Sequence, residues 1–254
     1  KIPELTVQST GRSFAEMALS KNIVLSATLR DGKLVLPDPE LEFMNVAASV
    51  RLVAGMLEAQ AITANLGTAK AWNGKLKVGF SRKPSPFHLD IMVHTGAPEL
   101  HAVLLKLVHE PAAREELLKL RHVEGELSGR LVLGETIDAL TPVVAISEAK
   151  VSADYQPVPF PIVIRRGRLK YDPAMIQLEN AQASVGRSSF DDLDVTWHRD
   201  GSREMSVESK RTSLDLRQTD TLMRKFRALS SHLENLKSIS GQLNLQRLSL
   251  RGAY

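Results

Sequence analysis

The chain has 254 residues, 43% of them apolar, 24% charged and 5% aromatic, which is long and apolar enough to bury a sizeable core and excludes a disordered chain. The 33 Lys and Arg stand against 29 Asp and Glu for a net charge of +4, with both signs interspersed, so nucleic acid is not an expected partner. No stretch approaches the roughly 18 uncharged apolar residues of a membrane-spanning helix, and the absence of cysteine excludes disulfides, CxxC redox sites and Cys-ligated zinc or iron–sulfur sites.

Residues 1–24 are a lead-in in which only Ser9-Thr10-Gly11-Arg12-Ser13 carries a signal, that of a loop. The chain opens Lys1-Ile2-Pro3 without Met and without a charged-then-apolar leader, so it is expected to be a piece whose signal peptide or anchor lies elsewhere. From there alternation with a period of two dominates, the spacing at which successive strand side chains point to opposite faces. It runs through Leu34 and Leu36, then Leu76, Val78 and Phe80, then Leu89, Ile91 and Val93. Residues 98–120 change to helical spacing through Leu100, Val103, Leu104, Leu107 and Val108, with Pro111 restarting the helix and Glu115 set four residues before Lys119. Alternation resumes at Leu127, Leu131 and Leu133 and continues through Ile162 and Ile164, Leu169 and Tyr171, Ile176 and Leu178, Leu193, Val195 and Trp197, and Leu214 and Leu216. Residues 219–236 predict a second amphipathic helix, with Leu222, Phe226, Leu229, Leu233 and Leu236 in a narrow apolar stripe and Arg224, Lys225 and Arg227 elsewhere on its surface. Such a helix either docks on its own sheet or lies on an anionic membrane; the narrow stripe and Glu234 favour docking. Leu243 and Leu245 close the pattern. Asp31-Gly32, Asn73-Gly74, Arg166-Gly167 and Asp200-Gly201 predict hairpin turns between strands. The expected fold class is mainly β (α+β), with antiparallel strands that each have one wet and one dry face.

The chain also matches itself. The run from Ala64 to Ala69 (ANLGTA) corresponds to that from Ala183 to Ser188 (ASVGRS), 119 positions on, and the same offset carries Leu76 and Val78 onto Val195 and Trp197. The run from Leu117 to Leu127 corresponds to that from Leu233 to Leu243 at an offset of 116, while Gly32-Lys33-Leu34 resembles Gly167-Arg168-Leu169 at 135, so copy one carries extra residues between Leu34 and Ala64. Fixed-period self-similarity marks a repeat architecture. The expected organisation is copy one over residues 25–147, with its helix near 98–120, and copy two over 148–254, with its helix near 219–236.

The run from Val123 to Gly134 (VEGELSGRLVLG) resembles the "GxLSGxLxLxG" strand of AsmA-like proteins, bacterial envelope proteins related to AsmA, TamB and YhdP. The runs Arg30 to Leu36 (RDGKLVL) and Arg166 to Tyr171 (RGRLKY) resemble the family's recurrent "xGxLxLxD" hairpins, and Ala183-Ser184-Val185-Gly186 its "ARLGGG" turn. The likeness covers most of residues 25–250. It implies a periplasmic segment of a longer protein held in the inner membrane by a helix absent from this chain. It also implies a long curved antiparallel sheet forming an open apolar trough, and a role in moving phospholipid between inner and outer membranes. An earlier view of the family implies the alternative, a structural or scaffolding module in outer-membrane protein assembly with envelope protein partners. No family motif is catalytic, so the resemblance implies no enzyme and no cofactor.

On that reading the inner, lipid-binding face is expected to hold Leu34, Leu36, Leu76, Val78, Phe80, Leu89, Ile91, Val93, Leu169, Tyr171, Ile176, Leu178, Val195 and Trp197. The same alternation also makes the core of any sandwich, since a period of two reports a dry face without saying what dries it. Signals for enzyme chemistry are weak. His88, His94, His101, His109, His122, His198 and His232 form no HExxH, and His101 and His109 are better explained as exposed helical residues than as ligands. Asp191-Asp192-Leu193-Asp194 lacks the glycine and terminal glutamate of an EF-hand loop and is expected to cap or flank a strand. There is no GxSxG, P-loop or GxGxxG opening a helix. A hydrolase would instead show a polar cleft with paired carboxylates about 5 to 10 Å apart.

Overall fold

The computed structural model describes residues 1–13, 16, 22–36, 40–80, 84–107, 111–136, 139–199, 204–225 and 239–253. They form β1 (Glu4–Ser9), β2 (Ile23–Leu36), β3 (Leu41–Val53), β4 (Met56–Leu66), β5 (Ala69–Gly79), β6 (Pro86–Gly96), α1 (Ala97–Leu107), α2 (Pro111–Leu118), β7 (Leu120–Thr136), β8 (Ala139–Tyr155), β9 (Ile162–Tyr171), β10 (Met175–Val185), β11 (Ser188–His198), β12 (Glu204–Asp215), α3 (Leu216–Lys225), β13 (Gln242–Leu245) and β14 (Leu248–Ala253). The protein is mainly β, as its alternation requires. Each strand hydrogen-bonds the next in sequence from β1 to β13, and β14 also pairs with β12, giving one open antiparallel sheet.

The chain divides into two compact units. The first holds Lys1–Glu99, Ser128–Ala145 and Tyr171–Pro173; the second holds Leu100–Leu127, Ile146–Lys170 and Ala174–Tyr254.

In the first unit, connections are short where glycine supplies a left-handed turn. Ala54-Gly55 joins Val53 to its partner Met56 with φ of 50° and 74°, the backbone of a two-residue hairpin whose twist matches its strands. Gly67-Thr68 joins Leu66 to Ala69, with Gly67 at φ 59°. Two of the pairs expected at turns lie elsewhere: Asp31-Gly32 is inside β2 and Asn73-Gly74 inside β5. Asp31 and Asn73 take φ of 51° and 54° and mark β-bulges, where the strand register shifts by one residue. Asx residues tolerate the left-handed region, which a bulge and a hairpin turn both use, so the dipeptide alone does not choose between them. Asn45 and Ala61 do the same in β3 and β4, at φ of 54° and 52°. Four neighbouring strands therefore bulge side by side, each bending at that level.

The second unit repeats these local features. Gly186-Arg187 joins Val185 to Ser188 with Gly186 at φ 58°, and Asn180 and Asp192 are the left-handed residues of β10 and β11. Strands β4 and β10 are 11 residues long, as are β5 and β11. Ala61, Gly67 and Asn73 each stand 119 positions before Asn180, Gly186 and Asp192. Arg166-Gly167, also expected at a turn, lies within β9; Ile164 and Gly167, three residues apart, both meet the core around Ala181, so the alternation breaks at Arg165 and Arg166, which are both exposed. Asp191, Asp192 and Asp194 lie inside β11 instead of at its end. There Asp194 Oδ1 accepts the Asn180 backbone N–H at 2.8 Å, and Asp191 Oδ1 accepts from Gln182 at 3.0 Å.

The helices follow the expected breaks with changed bounds. Residues 98–120 give two helices, α1 and α2, and Lys119 pairs more closely with Glu116 (2.6 Å) than with Glu115 (3.8 Å). The second predicted helix opens at Leu216, three residues before the expected start, because Asp215 caps it: Asp215 Oδ1 accepts the Gln218 backbone N–H at 2.9 Å. Leu216 is accordingly helical and not a strand residue. Phe226, Arg227, Leu229, Leu233, Glu234 and Leu236 lie outside the described residues, as do His109, His232 and Asp200-Gly201.

Candidate functional site

Residues directly opposed across an antiparallel pair share a face, so the registers identify what each face carries. In the first unit one face holds Leu25, Ala27, Leu29 and Leu34 from β2 and Phe43, Val46, Ala48, Val50 and Leu52 from β3. It continues with Leu57, Ala59, Ile62, Ala64 and Leu66 from β4, Leu76 and Val78 from β5, and Phe87, Leu89 and Val93 from β6. Every side chain in that sequence is aliphatic or phenyl. In the second unit the matching positions are Ile176, Leu178, Ala181 and Ala183 of β10, Phe190, Leu193, Val195 and Trp197 of β11, Val207 of β12 and Leu250 of β14, together with two buried polar residues of β12, Ser209 opposite Leu193 and Thr212 opposite Phe190.

Of the expected residues, Leu76, Val78, Leu89, Ile91, Val93 and Leu34 thus fall on one face within the first unit. Leu76 stands opposite Leu89, and Ile91 packs where Gly74 leaves room. Leu36 is in β2 opposite Leu41. Phe80 lies just past β5, its backbone N–H donating to Gly55 O at 2.8 Å, and the residue is 56% exposed. In the second unit Ile176 opposes Trp197 and Leu178 opposes Val195. Leu169 and Tyr171 are half-buried in β9.

Pattern reasoning missed β3 and most of β4, which it treated as extra residues. The bulges explain this: Asn45 and Ala61 each insert one residue, so Leu41 and Phe43 are out of phase with Val46, Ala48 and Val50, and no single alternation spans the strand.

No large side chain among the described residues is fully buried. Val78 and Ile91 come close at 9% and 8% exposed, whereas Leu34 is 49% and Leu250 57% exposed. A core enclosed between two layers normally buries several such side chains completely.

The opposite face is mostly polar, although it also carries Val35 and the opposed pair Trp72 and Met92, and it is held by ion pairs between neighbouring strands. Lys33 meets Glu42 at 2.6 Å, Lys77 meets Glu58 at 3.0 Å and Lys170 meets Glu179 at 2.7 Å; Arg251 pairs with Glu204. Arg130 reaches both oxygens of Asp90, at 2.7 and 2.6 Å, and these hydrogen bonds hold the Asp90 carboxyl below its usual range despite some burial. His94 Nδ1 lies 2.8 Å from Ser128 Oγ, and His122 Nδ1 lies 2.7 Å from Asp154 on the exposed side.

The starts of α1 and α3 are each tied to a hairpin tip. In the first unit Thr68 Oγ1 donates to Glu99; in the second the Arg187 backbone N–H donates to Gln218 Oε1 at 2.6 Å, and the Asp215 N–H donates to Ser188 Oγ at 3.1 Å. Glu99 and Gln218 are again 119 positions apart. The end of α2 is fastened differently. Lys119 Nζ and Tyr155 Oη both donate to Glu116, at 2.6 and 2.5 Å, which holds the Glu116 carboxyl low. Burial, then the bond to Glu116, pushes the Tyr155 phenol up to about 12.

His101 Nε2 lies 2.9 Å from Leu117 O, a bond that makes it a link between α1 and the end of α2. Among the described residues no three His, Asp or Glu side chains are grouped to hold a metal ion, and no helix is long and apolar enough to cross a membrane. Comparison with protein-family models, curated proteins and solved structures finds no match for this chain.

Proposed function

We propose that the protein is a non-enzymatic lipid-binding segment that carries phospholipid acyl chains along its aliphatic sheet face. The observation that supports this most directly is that face itself: five neighbouring strands, β2 to β6, present aliphatic and phenyl side chains in register, with Thr95 of β6 a polar exception, and Leu34 among them remains half in water. Strands about 4.8 Å apart make those five span roughly 19 Å, enough for an acyl chain of about 15 Å, half a bilayer's hydrocarbon thickness. Moving a sixteen-carbon chain from water onto such a surface gains on the order of 12 kcal/mol before ordering costs. A conduit needs many comparable sites in series, since a single deep pocket would retain its ligand. The 119-residue spacing of left-handed residues, hairpin tips and helix anchors supports two copies of one structural unit, each offering such a site. In this reading the sheet is the wall of an open trough in an AsmA-like periplasmic segment, anchored in the inner membrane through a part of the protein outside this chain.

The test is mass spectrometry of organic extracts from the purified protein, beside Leu34→Asp and Leu250→Asp variants and an unrelated β-protein from the same cells. Leu34 and Leu250 are chosen because both are about half exposed, so a carboxylate there leaves the fold intact; Val78, at 9%, would bury the charge. Stoichiometric phospholipid in the wild type and its loss in both variants is the expected outcome. Lipid at control levels in the wild type, or undiminished in the variants, refutes the proposal and leaves the scaffolding alternative.

A further inference from the structure

Among the described residues several exposed cations of the polar face have no carboxylate within 4.0 Å, Arg51, Lys70 and Lys75 among them, and three such cations fall within four residues on β9. On β2, β5, β7, β9 and β14 a cation meets a carboxylate of the adjoining strand: Lys33, Lys77, Arg130, Lys170 and Arg251. Arg165, Arg166 and Arg168, also on β9, are exposed, and among the described residues none has a carboxylate within 4.0 Å. Their direction follows from their neighbours. Ile164 packs against the Ala181 and Leu193 core, and a Cβ at Gly167 would meet Ala181 and Leu178, so both lie on the aliphatic side. Lys170, on the other side, bonds Glu179. Arg168 alternates with Gly167 onto the Lys170 side, and Arg165 and Arg166 lie between the two inward positions.

The chain that leads into β9 differs from other connections. Gln156-Pro157-Val158-Pro159-Phe160-Pro161 is apolar except for its first residue, and all of it but Pro157 lines, with Arg121, Tyr155 and Asp154, a shallow notch of about 220 Å³; the Asp154 carboxylate there is already engaged by His122. Arg121 is exposed and likewise has no carboxylate within 4.0 Å among the described residues. Three guanidiniums beside an apolar, aromatic loop combine the two attractions that hold a protein on an anionic bilayer, charge at the phosphates and shallow insertion beneath them. Guanidinium suits phosphate because its planar fork donates two parallel hydrogen bonds. A nucleic acid strand fits less well. It would continue from β9 across the polar face of β10 and β11, where the described residues offer no aromatic platform for bases; Glu179, Asp191 and Asp194 on that face repel phosphate of either kind and do not separate the two.

We propose that Arg165, Arg166 and Arg168, with the Phe160 loop, dock the protein on the surface of an anionic phospholipid bilayer. This surface lies on the polar face and is separate from the aliphatic face of the proposed function. The test is vesicle flotation with phosphatidylcholine alone and with phosphatidylcholine containing 30% phosphatidylglycerol, at low and high salt. Wild-type protein binds the anionic vesicles, and more weakly as salt rises. Each cation near such a surface strengthens binding about five-fold, so the triple change Arg165→Gln, Arg166→Gln and Arg168→Gln weakens it about a hundred-fold. Phe160→Ser weakens it about five-fold. A Lys33→Gln, Lys77→Gln variant, which removes two paired cations, binds as wild type. Equal binding to neutral and anionic vesicles overturns the proposal, as does wild-type affinity in the triple variant. Tighter binding to a 20-nucleotide single strand than to vesicles, lost in the triple variant, overturns it in favour of a nucleic-acid contact. Co-purified lipid is measured on the same variants: unchanged lipid with lost flotation separates this surface from the trough.

Discussion

Gly74 offers the sharpest test of how the sheet is packed. A Cβ built there would lie 2.7 Å from Ile62 Cβ and 2.9 Å from Ile91 Cδ1, whereas carbon atoms in van der Waals contact sit about 3.5–4.0 Å apart. Ile62 Cβ is bonded directly to the backbone of β4, so it retreats only if β4 and β5 separate by about 1 Å, against the hydrogen bonds that join them. Ile91 is 8% exposed and has little room to turn. Overpacking of this kind costs typically about 1–3 kcal/mol, partly offset by the roughly 0.5–1 kcal/mol that alanine gains over glycine within a strand. Gly74→Ala is therefore expected to destabilise by about 1–2 kcal/mol, lowering Tm by roughly 2–8 °C for a chain of this size. Urea unfolding followed by circular dichroism reads the same change as a lower midpoint with an unchanged slope. Ile91→Ala removes one of the two obstructing groups, so in the double variant the Gly74→Ala penalty shrinks, a coupling a double-mutant cycle detects. An unchanged or raised Tm for Gly74→Ala would mean that the aliphatic side chains do not converge at the bulges, and the account of the face would fail.

Three further outcomes follow. Asp215→Ala removes the cap of α3 and should cost about 1 kcal/mol, while Asp215→Asn retains most of it; equal Tm values for all three proteins would remove the cap from the explanation of where that helix starts. The folded-state pKa of Tyr155 is raised to about 12, above an unfolded value near 10, so the stability it contributes is complete below about pH 10 and is lost as pH rises toward 12. Tyr155→Phe should abolish that alkaline limb in unfolding midpoints taken from pH 8 to 12, and an identical limb in the variant would contradict the assignment. Asp90 and Glu116 have folded-state pKa values below their unfolded ones, so their contribution is present above about pH 4 and falls away as pH drops further. Asp90→Asn together with Glu116→Gln should flatten the acid limb of the same curve, and an unchanged acid limb would refute it.

The parts of the structure legible in the sequence are those where a strand runs without interruption. Leu76 and Val78, or Leu89, Ile91 and Val93, alternate in phase with their partners, so pattern alone places them on one face. The bulges hid the rest. Asp31 and Asn73 announced a left-handed residue but not its use, because a hairpin and a bulge need the same backbone region. Ala61 announced nothing, since alanine rarely enters that region and is held there at φ 52° by the strands on either side. The unpaired arginines were equally invisible, since a sequence shows Arg165, Arg166 and Arg168 but not which cations elsewhere have found carboxylates.

The two faces of the sheet make a consistent physical whole. Among the described residues no large side chain is fully buried, and each half-exposed leucine forgoes on the order of 1 kcal/mol of burial. Leu34, Leu243 and Leu250 are in that position, as are Leu5 and Val7 of β1. What remains to hold the strands together is the backbone ladder, the close contacts at the bulges and the ion pairs across the polar face. Such surface pairs are each worth little; their more certain effect is on register, because a one-residue slip would set Lys33 away from Glu42 and send the aliphatic side chains to the wet face at the same time. The unsatisfied free energy then sits mainly on one face, although Val35 is 53% exposed on the other, and an apolar molecule lying along the aliphatic face would recover it. An acyl chain can recover it without any directional contact, and for that reason can slide from one position to the next. A folded protein partner would need complementary relief at every half-exposed leucine, which is a reason to expect lipid on this face before protein.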